Sequence, residues 1–257
     1  MSGGEKLSGG ESLPSGAARR VCLLTGAGGT LGDAFCRRYA AEYDIVAVCR
    51  TRAPGVPSQL ESYVDPLDPG AALPENAQRV HVVHADLAQP GQVERVVELA
   101  LVRFGRIDLL VNNAALAALH PHGVADGDAA LRDVERTFAM NVAVPLALAV
   151  RVVQQYWRDR PAENSAAGRN VVNVSSLSGS RVYPHLGQAV YAASKAALTH
   201  LTRHLGAEFA TYGVRVNAVA PTSFPALVST AAVTDAIVRL DRESVTGQVL
   251  ALEGPQS

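Results

Sequence analysis

Val21-Cys22-Leu23-Leu24-Thr25-Gly26-Ala27-Gly28-Gly29-Thr30-Leu31-Gly32 is the stretch from which the organisation of this chain is best read. A short apolar run enters a glycine cluster, and a helical pattern, Leu31 to Tyr43, follows at once. Together, strand, glycine turn and helix N-terminus make an anion site. The glycines let backbone N–H groups approach a pyrophosphate, and the helix dipole favours its charge. Glycine also serves a plain tight turn, so the cluster gains weight from its place at the first strand–helix junction. The candidate dinucleotide contacts here are Gly26, Gly28, Gly29, Thr30, Leu31 and Gly32. A GxxxxGK[ST] run is absent, which disfavours a nucleoside triphosphatase.

Downstream the rhythm repeats. Short apolar runs at Ile45 to Cys49, Val80 to His84, Ile107 to Val111, Val171 to Val174, Val214 to Val219 and Val249 to Leu252 lack strict alternation. Strands of that kind, separated by helices, imply a parallel sheet covered on both faces. Helical patterns run over Gln92 to Phe104, Ala129 to Arg158, Ala189 to Tyr212 and Thr230 to Leu240. The expected fold is α/β, a doubly wound and mostly parallel sheet of about seven strands, with ligands bound beyond the carboxyl ends of the strands. Two segments read as loops: Arg52 to Pro74, which carries five prolines, and Pro161 to Gly168.

The second strand ends in Cys49-Arg50-Thr51-Arg52. A site that reads an unphosphorylated ribose usually presents an acid at this point. Here Arg50, Thr51 and Arg52 suit a 2′-phosphate, so NADP is favoured over NAD; the alternative is two surface arginines on a loop. Just past the third strand, Asp86 and Leu87 are candidate adenine contacts, although Asp86 could equally cap the next helix.

Only two of the 23 basic residues are lysine, and one of them, Lys6, sits in a Gly/Ser-rich tail. The other, Lys195, lies four positions after Tyr191. On a helix these two side chains share a face, which puts a phenol beside a compact, rotatable ammonium. Such a pair is an acid/base device: free phenol titrates near ~10, and an adjacent cation favours the phenolate.

The glycine turn, Asn112-Asn113-Ala114-Ala115, Asn141, Ser175-Ser176, Tyr191-xxx-Lys195 and Asn217-Ala218-Val219-Ala220-Pro221 occur in an order that resembles the short-chain dehydrogenase/reductase family, from about Val21 to Gly254. The resemblance implies a seven-stranded Rossmann fold that moves hydride between a nicotinamide and an alcohol or carbonyl carbon. It implies that Tyr191 is the general acid/base, that Lys195 also grips the nicotinamide ribose, that a serine holds the substrate oxygen, and that Asn141 holds a water. Strand alignment selects Ser176 for that serine, whereas the usual distance to the tyrosine selects Ser178; Ser176 is preferred. Further cofactor contacts implied are Asn113, Ala114, Ala115, Pro221, Thr222 and Ser223, besides Tyr191 and Lys195. A homodimer or homotetramer through helices 129–158 and 189–212 and the last strand is also implied.

This chain departs from the family pattern at two places. Thr30 stands where the commonest branch has its middle glycine, so the turn reads TGxxGxxG, as in the epimerase-like branch. The chain is short for that branch's added domain, which weakens an epimerase reading. After Pro221 the sequence Thr222-Ser223-Phe224-Pro225-Ala226 replaces the usual PG and substrate-covering segment. An open site is therefore expected, fit for a bulky or carrier-bound small molecule, unless a partner supplies the cover.

With 257 residues, 48% of them hydrophobic, the chain can bury a large core. Net charge is −1 with arginines scattered among 24 acids, so a nucleic-acid face is not expected. Residues 1–18 read as a disordered tail and 19–257 as one Rossmann-fold catalytic domain. The apolar run Val142 to Val150 is short for a membrane span, and a soluble protein is expected. Three cysteines without a CxxC pair fit a reduced, cytoplasmic setting. His200 and His204 have zinc-like i, i+4 spacing but no evident third ligand, so no metal is expected. His120 and His122 flank Pro121 in a loop, and His185 lies with Tyr183 in the loop before Tyr191. The favoured function is an NADP-dependent reductase of a small-molecule ketone in specialised metabolism. The alternative is a noncatalytic NADP(H)-binding regulator or scaffold on the same fold.

Overall fold

The computed structural model describes residues 19–56, 79–125 and 127–254. The expected tail, 1–18, and the proline-rich segment from residue 57 onward lie outside the described residues. Seven strands, β1 (Arg20–Thr25), β2 (Tyr43–Cys49), β3 (Val80–His84), β4 (Leu109–Asn112), β5 (Asn170–Val174), β6 (Arg215–Pro221) and β7 (Val249–Leu252), form one sheet. Its order is β3-β2-β1-β4-β5-β6-β7, and every neighbouring pair is parallel. The chain winds outward from β1 to β3 and then returns to β1's other side at β4. That reversal opens a crevice beyond the carboxyl ends of β1 and β4.

The apolar runs lack alternation because both faces of the sheet are buried. Leu23, Val46, Val48, Leu110, Val171 and Val216 point into one core, beneath α2 (Gln92–Phe104), α4 (Val144–Val152) and α6 (Ala189–Glu208). Their neighbours Cys22, Leu24, Ile45, Leu109, Val111 and Val172 point into the other, beneath α1 (Thr30–Tyr39) and α7 (Thr230–Arg242). Trp157, fully buried, seals the first core and donates its indole N–H to the Ile107 carbonyl at 2.9 Å. Truncating such a residue to alanine costs about 3–5 kcal/mol.

Polar braces stitch the later strands together. Asn112 Nδ2 donates to Asn173 Oδ1 at 2.8 Å, and Asn173 passes the bond to Thr202 on α6 at 2.9 Å. Asn217 donates to Asn170 Oδ1 and to the Val245 carbonyl, at 3.2 and 2.8 Å, while its own oxygen accepts from Gln248 N. Asn170, Asn173 and Asn217 are buried with partners for their side chains and so stabilise the register, whereas Asn112 makes its bond through Nδ2 and leaves its Oδ1 buried without a partner.

Several boundaries differ from the sequence expectations. The first helix stops at Tyr39, not Tyr43, because Tyr43 opens β2 and buries its ring, with its hydroxyl on Asp241 Oδ2 at 2.8 Å. β4 begins two residues later than Ile107, whose carbonyl is taken by Trp157. The segment 161–168 contains a helix, α5 (Pro161–Ala166), where a loop was expected. Proline at a first helical position fits a helix start, and Asn164 anchors this one by donating to the Trp157 and Tyr212 carbonyls, both at 2.7 Å. The expected helix 129–158 is α3 (Ala129–Phe138) and α4, each followed by a π turn, at Ala139–Ala143 and Val153–Trp157. This 29-residue stretch is long and apolar enough to cross a membrane by length and composition, yet here it packs against α2 and α6.

Candidate active site

At the end of β1 the backbone turns so tightly that side chains have no room. Gly26 has φ +67°, and a Cβ on Gly28 would fall 1.7 Å from the Arg52 carbonyl oxygen. Gly29 caps α1 without any side-chain hydrogen bond, so the N–H groups of the first turn are left for an anion. Thr25 and Asn113 hold the turn in place. Asn113 Nδ2 donates to the Thr25 and Gly26 carbonyls at 2.9 and 3.1 Å, and Thr25 Oγ1 accepts the N–H groups of Asn113 and Ala114 at 3.0 Å each.

A cleft of about 1070 Å³ lies over this turn. Gly26, Gly28, Gly29, Thr30 and Leu31 line its floor, Arg50, Thr51 and Arg52 one end, and Asp86, Leu87, Asn113, Ala114 and Ala115 the adjoining wall. Gly32 sits behind the floor, where a Cβ would meet the Gly26 oxygen at 2.4 Å; its part is to let α1 pack on the turn. The uncapped helix end, the bare glycine floor and the volume of the cleft fit a dinucleotide. Asp86 does not cap α2: its Oδ1 accepts from Ala88 N at 3.1 Å, α2 starts from Gly91, and the residue lines the cleft. Arg52 folds back, donating Nε to the Gly28 carbonyl at 2.8 Å. Arg50 faces the cleft with no protein partner among the described residues.

The acid/base cluster stands where β5 and α6 meet. Ser176, two residues past the end of β5, caps the turn Leu177–Gly179 by accepting from Ser178 N at 3.2 Å, and its side chain stands beside the Tyr191 phenol. Ser178 instead donates to Gln188 Oε1 at 2.6 Å, so the structure places Ser176, not Ser178, against the phenol. Lys195 is 2% exposed, and its Nζ donates to the Val174 carbonyl at 2.7 Å, 5.8 Å from the Tyr191 ring centroid. Burial pushes this ammonium down to about 8.

One expectation about this pair needs correcting. Burial raises the Tyr191 phenol above its ordinary value, and the opposing influence is the neighbouring Ser176 hydroxyl, not the ammonium. Lys195 directs one of its three N–H donors to Val174 and stands 5.8 Å from the ring centroid, with no hydrogen bond to the hydroxyl.

Asn141 lies on the first π turn, fully buried, where a widened helical turn redirects a side chain. Its amide clasps Leu116 in both directions, donating to the carbonyl at 2.9 Å and accepting the N–H at 2.8 Å, and also donates to Ser194 Oγ at 2.9 Å. Ser194 in turn donates to the Tyr191 carbonyl at 2.7 Å. Both Asn141 amide hydrogens are thereby committed, which gives the side chain a bracing part that the sequence did not reveal. Pro221 ends β6, Thr222 N donates to the Leu252 carbonyl at 2.9 Å, and Ser223 O accepts from Leu227 N at 2.8 Å. From that segment it is Phe224, unforeseen, that reaches the cleft, as do Arg136 and Met140 from the long helix. His200 and His204 touch Nε2 to Nε2 at 3.1 Å, and no group of three metal-ligating side chains occurs among the described residues.

Comparison with known proteins agrees with this geometry. Residues 20–236 match the family model described as short chain dehydrogenase. Over 208 residues the chain is 35% identical to L-xylulose reductase of Mesocricetus auratus, covering 80% of this chain and 72% of that one. A short chain dehydrogenase from Mycobacterium smegmatis superposes with TM-score 0.73 at 27% identity, over 93% of each chain. An oxidoreductase of the same family from Brucella ovis, solved with a partially ordered NAD, gives TM-score 0.64 at 29% identity, over 92% of this chain and 100% of that one. The chain spans between about a third and two thirds of the length of the first curated relatives it matches. With the glycine turn at the sheet reversal, the serine-ended strand and the tyrosine–lysine helix all in place, the chain belongs to the short-chain dehydrogenase/reductase family of oxidoreductases.

Proposed function

We propose that this protein reduces a carbonyl carbon of a bulky small molecule, using NADPH as the hydride donor. The observation that carries the reading is the convergence of Ser176, Tyr191 and Lys195 at the junction of β5 and α6, one strand over from β4, whose following loop lines the cleft that fits a dinucleotide. When bound, the nicotinamide supplies the hydride; the chain's own residues supply position and a proton. Ser176 is placed to hold the substrate oxygen, and Tyr191, beside it, to donate a proton to that oxygen. A phenol raised by burial stays protonated at neutral pH, which favours the reducing direction. Lys195 brings a nearby ammonium that can turn to a ribose hydroxyl, and Asn141 keeps α6 seated through Ser194. A noncatalytic nucleotide binder would have no use for this cluster.

The preference for the 2′-phosphorylated cofactor rests on Arg50, which faces the cleft at the end of β2 where an acid would select the unphosphorylated ribose. Substrate size follows from the short connection 222–229 between β6 and α7, which brings only Phe224 to the cleft. Leu119, Val182, Leu186 and Leu227, all exposed, stand on the loops after β4, β5 and β6, so an apolar substrate surface is the natural complement. Exposed Leu131 and Val134 on α3 support a homo-oligomer.

Fluorescence titration tests the cofactor part. Arg50→Ala should weaken NADPH about tenfold, the worth of one charge-assisted contact, and leave NADH nearly unchanged. Equal effects on both would remove the NADP assignment.

A further inference from the structure

His120 does not behave as a loop histidine. It is 7% exposed, its Nε2 meets Asp133 Oδ2 on α3 at 3.2 Å, and its Nδ1 is buried without a partner. Its backbone reaches the other way. The His120 N–H donates to the Gly187 carbonyl at 2.8 Å, in the loop that leads into α6. The two chains are so close there that a Cβ on Gly187, where φ is +60°, would lie 2.0 Å from the His120 oxygen.

Gly187 stands four residues before Tyr191, and the next residue, Gln188, accepts the Ser178 hydroxyl at 2.6 Å. Ser178 N in turn donates to Ser176 Oγ, and the Ser176 side chain stands beside the Tyr191 phenol. Asp133 thus connects through His120, Gly187, Gln188 and Ser178 to the two groups expected to hold the substrate oxygen. Asp133 also lies 3.6 Å from the Arg136 guanidinium, whose residue lines the cleft.

We infer that His120 and Asp133 form a clasp that positions the start of α6, so that the Ser176 and Tyr191 hydroxyls are held at the spacing needed to share one substrate oxygen. His120 is a positioning residue. The inference rests on the reductase reading for its catalytic consequence, but the clasp itself is a statement about the loop and can be measured without turnover. A small displacement at the site of proton transfer costs rate far more than it costs stability.

The test uses the full chain and the variants His120→Ala, His120→Asn and Gly187→Ala. Asparagine keeps an N–H to offer Asp133, whereas alanine at 187 forces the junction apart from the other side. Amide hydrogen exchange across residues 185–191 should quicken in His120→Ala and Gly187→Ala and return toward the parent in His120→Asn. With NADPH and a panel of benzil, cyclohexanone and hexanal, kcat should fall about tenfold or more in His120→Ala while NADPH affinity and KM stay within about twofold, and His120→Asn should recover most of the loss. Unchanged exchange at 185–191 in His120→Ala overturns the clasp. So does a kcat that is unchanged, or a loss that falls on cofactor affinity or KM instead. If the parent chain turns over none of the three carbonyl compounds, the reductase reading is what has failed, and the exchange arm still decides the clasp.

Discussion

Lys195 is a charge held where charge is costly. Its Nζ has the Val174 carbonyl for company, and burial alone brings it to about 8. The folded value lies below the unfolded one, near ~10.4, so the folded chain gives up this proton first as pH rises. Below about 8 the full penalty of burying the ammonium is present; between about 8 and ~10.4 the unfolded chain holds more protons and the penalty is relieved. In urea titrations across that window, the stability advantage of Lys195→Met over the parent should therefore shrink as pH rises. An advantage that stays flat would mean that the ammonium is not buried as the structure has it. Groups pushed the other way by burial, such as Cys36 at about 12, are shared by both chains and cancel in the difference. Lysine's identity and its i, i+4 partner Tyr191 were legible in the sequence, because a helix sets that spacing. The carbonyl that receives Nζ was not, since it comes from a different strand.

Among the elements, the glycine turn carries the heaviest geometric constraint. A methyl on Gly28 would collide with the Arg52 backbone, so Gly28→Ala must move either the turn or the loop after β2. NADPH affinity should drop about tenfold or more in that variant, with the folded state retained, as read by fluorescence titration and circular dichroism. Parent-like affinity would separate the turn from the cofactor. The strands were legible because apolar runs bounded by turn residues leave little choice, and β3, α2 and β7 begin and end where the sequence put them. The π turn that presents Asn141 was not, because one shifted hydrogen bond leaves no trace in an apolar pattern. Polarity misled at 161–168, a connection read as a loop, where proline at the first helical position opens a helix.

At the scale of the whole molecule, the sheet order explains why residues from opposite halves of the chain share one cleft. The reversal between β1 and β4 brings the turn at 25–32 beside the loop from β4, and β5 next to β4 sets Ser176 and α6 at the same edge. Periodicity and motif order were enough to foresee that arrangement. Contacts between loops were beyond reach: Phe224 in the cleft and His120 on Asp133 depend on distances that no local pattern encodes. The claim that unites these scales is that Tyr191 hands over a proton beside a bound dinucleotide. The most direct measurement is NADPH oxidation by Tyr191→Phe against the parent, with cofactor binding followed in the same samples. The phenylalanine chain should bind NADPH as the parent does and oxidise it about a hundredfold or more slowly with any carbonyl compound the parent reduces. Parent-like oxidation by Tyr191→Phe would contradict the account.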